Sequence, residues 1–159
     1  MARRRRGGSR ANVTIDENSN IPEIKRALKK LAAKEVHIGM QGDAELAMIA
    51  GVHEYGSAKM KIPSRSFIRV GKKRATSPIK KLVKEKVQLI AEGSASPDDL
   101  LREIGTIGLE RTVKRFDSIR QPPLSAAYKA IKKGKKILLR DKDLRDSLTY
   151  KIVEKEGGS

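Results

Sequence analysis

The first stretch of periodic apolar residues predicts a short helix after Asn20. Ile24, Leu28 and Leu31 fall on one side of a helical wheel, and lysines occupy the positions between them. Pro22 is tolerated in a first helical turn, and an asparagine before it can cap the amides that the turn leaves without partners. We therefore expect a helix that buries these three side chains.

A strand and a second helix are predicted next. Val36, Ile38 and Met40 alternate with polar or small residues, which is the pattern of a half-buried strand. Residues 41–43, Gln-Gly-Asp, predict a turn. Apolar residues then recur at helical spacing up to His53, so we expect His53 at the end of a short helix, on the edge of the core.

The following segment predicts a loop with a basic tip and then a long helix. Lys59 and Lys61 lie in the loop, and Pro63 is expected to open the helix. Pro78 either kinks one long helix or begins a second one. Gly93 is expected to end this region.

A fourth helix and a final strand complete the pattern. Ser96 and Pro97 provide a cap and a first-turn proline. The apolar stripe that follows contains Gly105 and Gly108, which we expect to let a neighbouring element approach closely. Residues 144–156 alternate as a strand.

The composition places these elements in one domain. The chain has 159 residues, of which 38% are hydrophobic and 3% aromatic, so its core is expected to be aliphatic. We predict an α+β domain over 21–155, in which helices pack on one face of a small mixed or antiparallel sheet. Residues 1–20 are predicted to form a flexible basic N-terminal arm and lead-in, and 156–159 a flexible tail.

The charge of the chain predicts a polyanionic or acidic partner. Lysine and arginine total 36 against 19 acidic residues, a net charge of +17. The arm has no acid in its first ten residues, and alone in water such a segment is expected to order only against a partner. It is not expected to be a signal peptide, because no apolar stretch follows it. Its arginines are Arg3, Arg4, Arg5, Arg6 and Arg10.

His53 and Glu54 raise the question of a metal site. The H-E-x-x-H motif of zinc peptidases needs a second histidine four residues on, where this chain has Ser57. His37 is the only other histidine, and cysteine is absent. A nucleophile elbow and a phosphate-binding loop are also missing from the sequence. We therefore expect no metal, no cofactor, no catalytic residue and no enzymatic activity.

Two motifs stand out along the chain, and the first runs from VHEYGS, at 52–57, to IPSRSFIR, at 62–69. It resembles a motif of tailed-bacteriophage neck and tail-completion proteins, a family that includes virion morphogenesis, minor tail and head–tail joining proteins. In the family, a helix ends in a His-Glu-aromatic-Gly turn, and a loop leads to Ile-Pro-x-Arg-x-Phe at the start of a long helix. The positions that match are His53, Glu54, Tyr55, Gly56, Pro63, Arg65 and Phe67.

The second motif lies in 121–152 and resembles the family's Pro-Pro-Leu-Ser, basic connector and Leu-x-x-Ser-x-x-Tyr strand. This chain has Asp141-Lys142 where the family usually has Thr-Gly, so the turn at 139–144 is expected to differ. The matching positions are Pro122, Pro123, Leu124, Ser125, Leu144, Arg145, Ser147 and Tyr150.

The resemblance implies that the first motif is architecture. The turn around Glu54 would end one helix, and Phe67 would anchor the next in the core. On this interpretation Glu54 only braces a turn, so Glu54→Gln is expected to cost far less stability than Phe67→Ala.

The resemblance also implies the function. The chain would be a structural subunit of a virion, assembled in the host cytoplasm, that forms a homo-oligomeric ring at the head–tail neck and joins or terminates the tail. Its partners would be copies of itself, neighbouring neck, connector or tail proteins, and duplex DNA in the channel, but no membrane.

A free-standing basic DNA-binding protein is the alternative. The charge favours it, whereas the five aromatic residues are too scattered to form a stacking platform. Under either function, the candidate contacts to DNA or to an acidic partner are the five arginines of the arm together with Lys59 and Lys61.

Overall fold

The computed structural model describes residues 20–125, 129–130 and 143–155. The predicted arm, the turn at Asp141-Lys142 and the tail therefore lie outside the described residues. In chain order the elements are α1 (Ile21–Ala32), β1 (Lys34–Met40), α2 (Ala44–Tyr55), α3 (Ile68–Ala91), α4 (Pro97–Ser118), α5 (Asp143–Asp146) and β2 (Leu148–Glu154).

The two strands form an antiparallel sheet that packs against α4. Val36 pairs with Ile152 and Ile38 with Tyr150, so these apolar side chains share one face. The predicted α+β class with a small antiparallel sheet is confirmed.

Two glycines of α4 let the sheet approach closely, as predicted. A methyl group on Gly105 would overlap the ring of Tyr150, and one on Gly108 would overlap the Cδ1 atom of Ile38. These residues lie on neighbouring turns of α4 and meet a paired position of the sheet. The absent side chains therefore set the distance between helix and sheet.

The core lies between α2, α4, β2 and the start of α3. Phe67 is completely buried, and Phe116 is 2% exposed. Ala50, Ile119, Leu144 and Leu148 complete the buried cluster.

Helix α1 is less buried than its apolar stripe predicts. None of its residues is fully buried, and Leu28 remains 38% exposed. Asn20 precedes the helix but makes no side-chain cap, because its backbone (φ −82°, ψ 3°) is not in the extended conformation that capping requires. Its carbonyl instead accepts a hydrogen bond from the Ile24 amide at 3.1 Å.

The long helix begins later than predicted. It starts at Ile68 rather than at Pro63, because the intervening backbone bonds to α2: the Arg65 amide donates to the His53 carbonyl at 2.6 Å. Pro78 lies inside one continuous helix, which settles the choice between the two alternatives.

The final strand is also shorter than predicted. Residues Asp143–Asp146 form a helical turn, and the strand begins at Leu148. Both the amide and the hydroxyl of Ser147 donate to the Asp143 carbonyl, which closes this turn. Side-chain competition for backbone groups explains the difference.

The predicted cap at Ser96 is confirmed, and Asp43, which was expected only in a turn, also caps a helix. The Asp43 carboxylate accepts from the amides of Glu45 and Leu46 at the start of α2. Ser96 caps α4 by accepting from the Asp98 amide.

Candidate functional site

The carboxylate of Glu54 closes the N-terminus of α3. Glu54 is only 5% exposed, and its Oε2 accepts from the amides of Phe67 and Ile68 at 2.9 and 3.0 Å. Its Oε1 accepts from the Arg69 amide at 3.0 Å and from the Ser66 hydroxyl. The first amides of a helix have no partner within the helix, so an anion at this place satisfies them and interacts favourably with the helix dipole.

The surroundings of Glu54 favour its charged form. Burial alone would raise the pKa of its carboxyl, but the hydrogen bonds from Ser66 and from the amides of Arg69, Ile68 and Phe67 outweigh burial and hold the pKa below its usual range. Glu54 is therefore an ionised, buried cap.

This arrangement corrects the interpretation of Glu54 as a residue that only braces a turn. A glutamine could present one oxygen but would turn an amide NH₂ toward two of the four donors. With this geometry we expect Glu54→Gln to be costly rather than cheap. The sequence did not reveal the cap, because the amides that donate hydrogen bonds to Glu54 lie 13 to 15 residues further along the chain.

Gly56 lets the chain leave α2 and enter the loop. Its φ is 79°, and a Cβ there would lie 2.8 Å from the carbonyl oxygen of Ile62 and 3.0 Å from the Ser64 nitrogen. Both the conformation and the space require glycine. The loop closes through bonds between Ser57 and Ile62, which leaves Lys59 exposed at its tip.

The structure gives His53 and Tyr55 different positions. His53 is half-buried at the end of α2, as expected. Tyr55 is 80% exposed, so it does not pack in the turn. In the described part of the chain, no three side chains of the histidine, cysteine, aspartate or glutamate type come together as metal ligands.

Arg65 joins the two sequence motifs directly. Its side chain is buried, with the residue 5% exposed, and it donates to the carbonyl oxygens of Pro122 at 3.1 Å and Pro123 at 3.0 Å. Burial lowers the pKa of the Arg65 guanidinium. These carbonyls lie 57 and 58 residues away in sequence. The pattern of the sequence gave no indication of this contact.

Phe67 anchors the start of α3, as predicted. Its ring meets that of Phe116 edge to face, with centroids 5.1 Å apart and an interplanar angle of 86°. Arg115, the neighbour of Phe116, donates to the Ser66 carbonyl at 3.4 Å. Helix α4 therefore holds the segment before α3 through both apolar and polar contacts.

The later residues of the second motif bind α4. Leu144 is buried in the core, and Arg145 donates to both carboxylate oxygens of Asp117 at 3.2 to 3.3 Å. The hydrogen bonds and charge of Asp117 raise the pKa of Arg145. Tyr150 lies against Gly105.

The remaining motif residues are placed as follows. Pro63, Pro123 and Ser125 are exposed, and Pro122 and Leu124 are half-buried. Arg65 therefore links the two motifs, and α4 supports both through Phe67 and Arg145; we call this set of contacts the junction. Sequence reasoning missed three members of the junction: Ser66, which occupies an unspecified position of the first motif, and Arg115 and Asp117, which belong to no motif.

The outer side of α2 is a second feature of this region. Met48 and Tyr55 fall on the same side of the helix and are 65% and 80% exposed. Gly51 lies between them, and a Cβ there would meet no atom within 4 Å. We call this surface the outer face of α2. The inner side of the helix carries Ala50 and Glu54, both buried.

Comparison with protein-family models, with curated proteins and with solved structures finds no match for this chain. Among the helices in the described ranges, none has the length and apolar character needed to cross a membrane.

Proposed function

We propose that this protein is a structural subunit of a bacteriophage virion that forms a ring at the head–tail neck and joins or terminates the tail. The proposal starts from the resemblance of the two motifs to neck and tail-completion proteins. Copies of the chain would be neighbours in the ring, and other neck, connector or tail proteins would lie above and below it.

The junction of the motifs supports a role in architecture. Glu54, Arg65 and Phe67 direct their side chains to other parts of the same chain, through backbone hydrogen bonds or aromatic packing. Residues that recognise or transform a small molecule would instead turn polar groups toward a cavity.

The observation that carries the proposal is the outer face of α2. A helix that is apolar on both sides is expected to be covered on both sides. The inner side of α2 lies in the core, whereas Met48 and Tyr55 on the outer side are mostly exposed. A second copy of the chain is the occupant that a homo-oligomeric ring supplies, because every interface of such a ring uses surfaces of the same chain.

The outer face can be tested by sedimentation velocity. We expect the purified chain to sediment as a closed oligomer, and Met48→Glu to sediment as a monomer, because the substitution places a charge in the interface. Ile21→Glu is the matched control, since Ile21 is 69% exposed on α1. A wild type that stays monomeric at every salt concentration, or a Met48→Glu variant that assembles like the control, would contradict the proposal.

The second candidate function is a free-standing DNA-binding protein. It is favoured by the exposed basic side chains of α3, which has eight basic residues and one acidic residue. Such a protein would bind duplex DNA as a monomer, and substitutions on the outer face of α2 would leave that binding unchanged.

A further inference from the structure

A row of basic side chains follows the outer side of α3. Arg69, Lys73, Lys80 and Lys84 are all exposed. At 100° per residue they fall within about 60° of one another, and at 1.5 Å per residue they span about 22 Å. We call these four residues the basic row of α3.

The basic row points away from the rest of the domain. The opposite side of α3 packs against α4, where a Cβ on Gly71 would lie 2.6 Å from the Thr112 Cα atom. Ala75 on that side is 1% exposed. Three further exposed basic residues widen the row: Lys72, Arg74 and Lys81.

Acidic residues of α4 form ion pairs with lysines outside the basic row. Asp98 binds Lys30 at 2.7 Å and Lys34 at 2.8 Å. Lys86, the half-buried lysine of α3, pairs with Glu103 of α4 at 3.0 Å. In the part of the chain that the structure describes, no carboxylate lies within ion-pair distance of the basic row.

The row lowers the stability of its own helix. Arg69 and Lys73 are four residues apart, as are Lys80 and Lys84, and like charges at this spacing destabilise a helix. Glu85 is the only acid of α3. A face that only meets solvent is better served by charges of both signs, so this arrangement indicates a polyanion that neutralises the row.

We propose that the basic row of α3 binds the phosphate backbone of duplex DNA. The inference deepens the proposed function and rests on it, because a neck ring surrounds the path of the packaged genome. Over about 22 Å of axis, a duplex presents about 13 phosphate charges. A basic row of this length matches the continuous charge of a duplex better than it matches a local acidic patch on a protein.

The composition of α3 favours a duplex over single-stranded nucleic acid. Binding of single strands uses aromatic side chains on which bases stack, and α3 has none. Lysine contacts to phosphates carry no base information, so binding is expected to be independent of sequence.

The test compares two triple variants of the full chain in binding to a 30-base-pair duplex at several salt concentrations. The first variant combines Lys73→Gln, Lys80→Gln and Lys84→Gln. The matched control combines Lys25→Gln, Lys29→Gln and Lys114→Gln, which removes the same charge from exposed positions on α1 and α4. Glutamine is a good helix former, so both variants are expected to keep their helices.

Each phosphate contact contributes a slope of about −0.9 to log K against log salt. We therefore expect the α3 variant to flatten the slope by about two to three and to weaken binding at 0.1 M salt by about 100-fold or more. The control should flatten the slope by less than about one. A third variant with arginine at the three α3 positions should bind like the wild type, which would show that charge rather than lysine itself is needed.

Equal losses in the α3 variant and the control would overturn the inference, because binding would then follow net charge alone. Unchanged DNA binding together with lost incorporation into particles would overturn it in favour of an acidic neighbouring protein. Tighter binding to a single strand than to the duplex would also overturn it.

Sedimentation of the same samples separates this inference from the proposed function. If the protein forms rings but the α3 substitutions do not change its DNA binding, the proposed function stands and the inference is refuted. A chain that stays monomeric at every salt concentration and binds duplex DNA through the row would refute the ring, and the row would then belong to the alternative function.

Discussion

At the scale of single residues, Glu54 is the side chain on which the start of α3 depends most. Its carboxylate accepts four hydrogen bonds from residues 66–69 while it is almost fully buried. Hydrogen bonds to charged groups are stronger than neutral ones, and a buried donor left without a partner is costly.

We predict that Glu54→Gln lowers the free energy of unfolding by about 2–4 kcal/mol, because it weakens two accepted bonds and opposes two backbone donors with an NH₂ group. Urea denaturation measures this change. Glu45→Gln is the control, since Glu45 is exposed in the first turn of α2 and should cost less than about 1 kcal/mol. Equal costs for the two variants would contradict the role assigned to Glu54.

Below neutral pH, the dependence of the free energy of unfolding on pH should reflect the titration of two carboxylates. The pKa of Glu54 lies below its ordinary value of 4.5, and hydrogen bonds from Lys30 and Lys34 lower the pKa of Asp98 from 3.8 to about 2. A carboxyl with a depressed pKa stabilises the fold fully above its unfolded pKa and loses that contribution as the pH falls through its folded pKa.

We therefore expect that neither carboxyl makes the free energy of unfolding change between pH 7 and 6, and that both lower it below about pH 4.5. Asp98→Asn should remove the part of the decline that falls between pH 3.8 and about 2. Denaturant titrations at a series of pH values test this. Wild-type and Asp98→Asn profiles that stay parallel down to pH 2 would disprove the assignment.

Phe67 tests the apolar part of the same junction. Phe67→Ala is expected to lower the free energy of unfolding by about 3–5 kcal/mol, because the side chain is completely buried and packs on Phe116. Ile21→Ala should change stability little, since Ile21 is 69% exposed. An unchanged melting temperature for Phe67→Ala would show that the junction is not part of the core.

At the scale of elements, glycines determine how closely α4 packs. Gly71 of α3 contacts the backbone of Thr112 on α4, whereas Gly108 of α4 contacts the end of the Ile38 side chain. A backbone cannot move aside as easily as a side-chain terminus, so the two positions should differ in tolerance.

We expect Gly71→Ala to destabilise the protein by about 1–3 kcal/mol and Gly108→Ala to cost less. Gly51→Ala should raise stability by about 0.5–1 kcal/mol, because alanine is the better helix former and no atom lies within 4 Å of the added group. Thermal denaturation at one protein concentration ranks the three. A Gly71→Ala variant as stable as Gly51→Ala would contradict the close contact of α3 and α4.

The elements differ in how well the sequence predicts them, for physical reasons. The cap at Ser96 and the close approach at Gly105 depend on local chemistry or on an absent side chain, and both were predicted. The cap at Asp43 was not predicted, because residues 41–43 indicated only a turn. The start of α3 was misplaced because Glu54 and Arg65 organise the backbone before it through partners distant in sequence. Periodicity contains no information about such contacts.

The same limit applies to the candidate site. The motifs identified Arg65, Phe67 and Arg145, but the bonds of Arg65 to Pro122 and of Arg145 to Asp117 depend on how α4 brings distant segments together. The exposure of Tyr55 was also not predicted, because the motif identifies the position without indicating which way its side chain faces.

At the scale of the whole molecule, charge and assembly are linked. Each chain has a net charge of +17, so copies in a ring repel one another unless DNA, acidic neighbours or salt compensate. The apolar outer face of α2 would supply the opposing attraction. Assembly of the isolated chain should therefore improve as the salt concentration rises.

Electron microscopy of the purified full chain tests the central claim most directly. At a salt concentration high enough to screen the charge, the images should show closed rings of a single size class. Met48→Glu protein prepared in the same way should show isolated subunits. Isolated wild-type subunits at every protein and salt concentration would contradict the ring, and with it the proposed role at the neck of a virion.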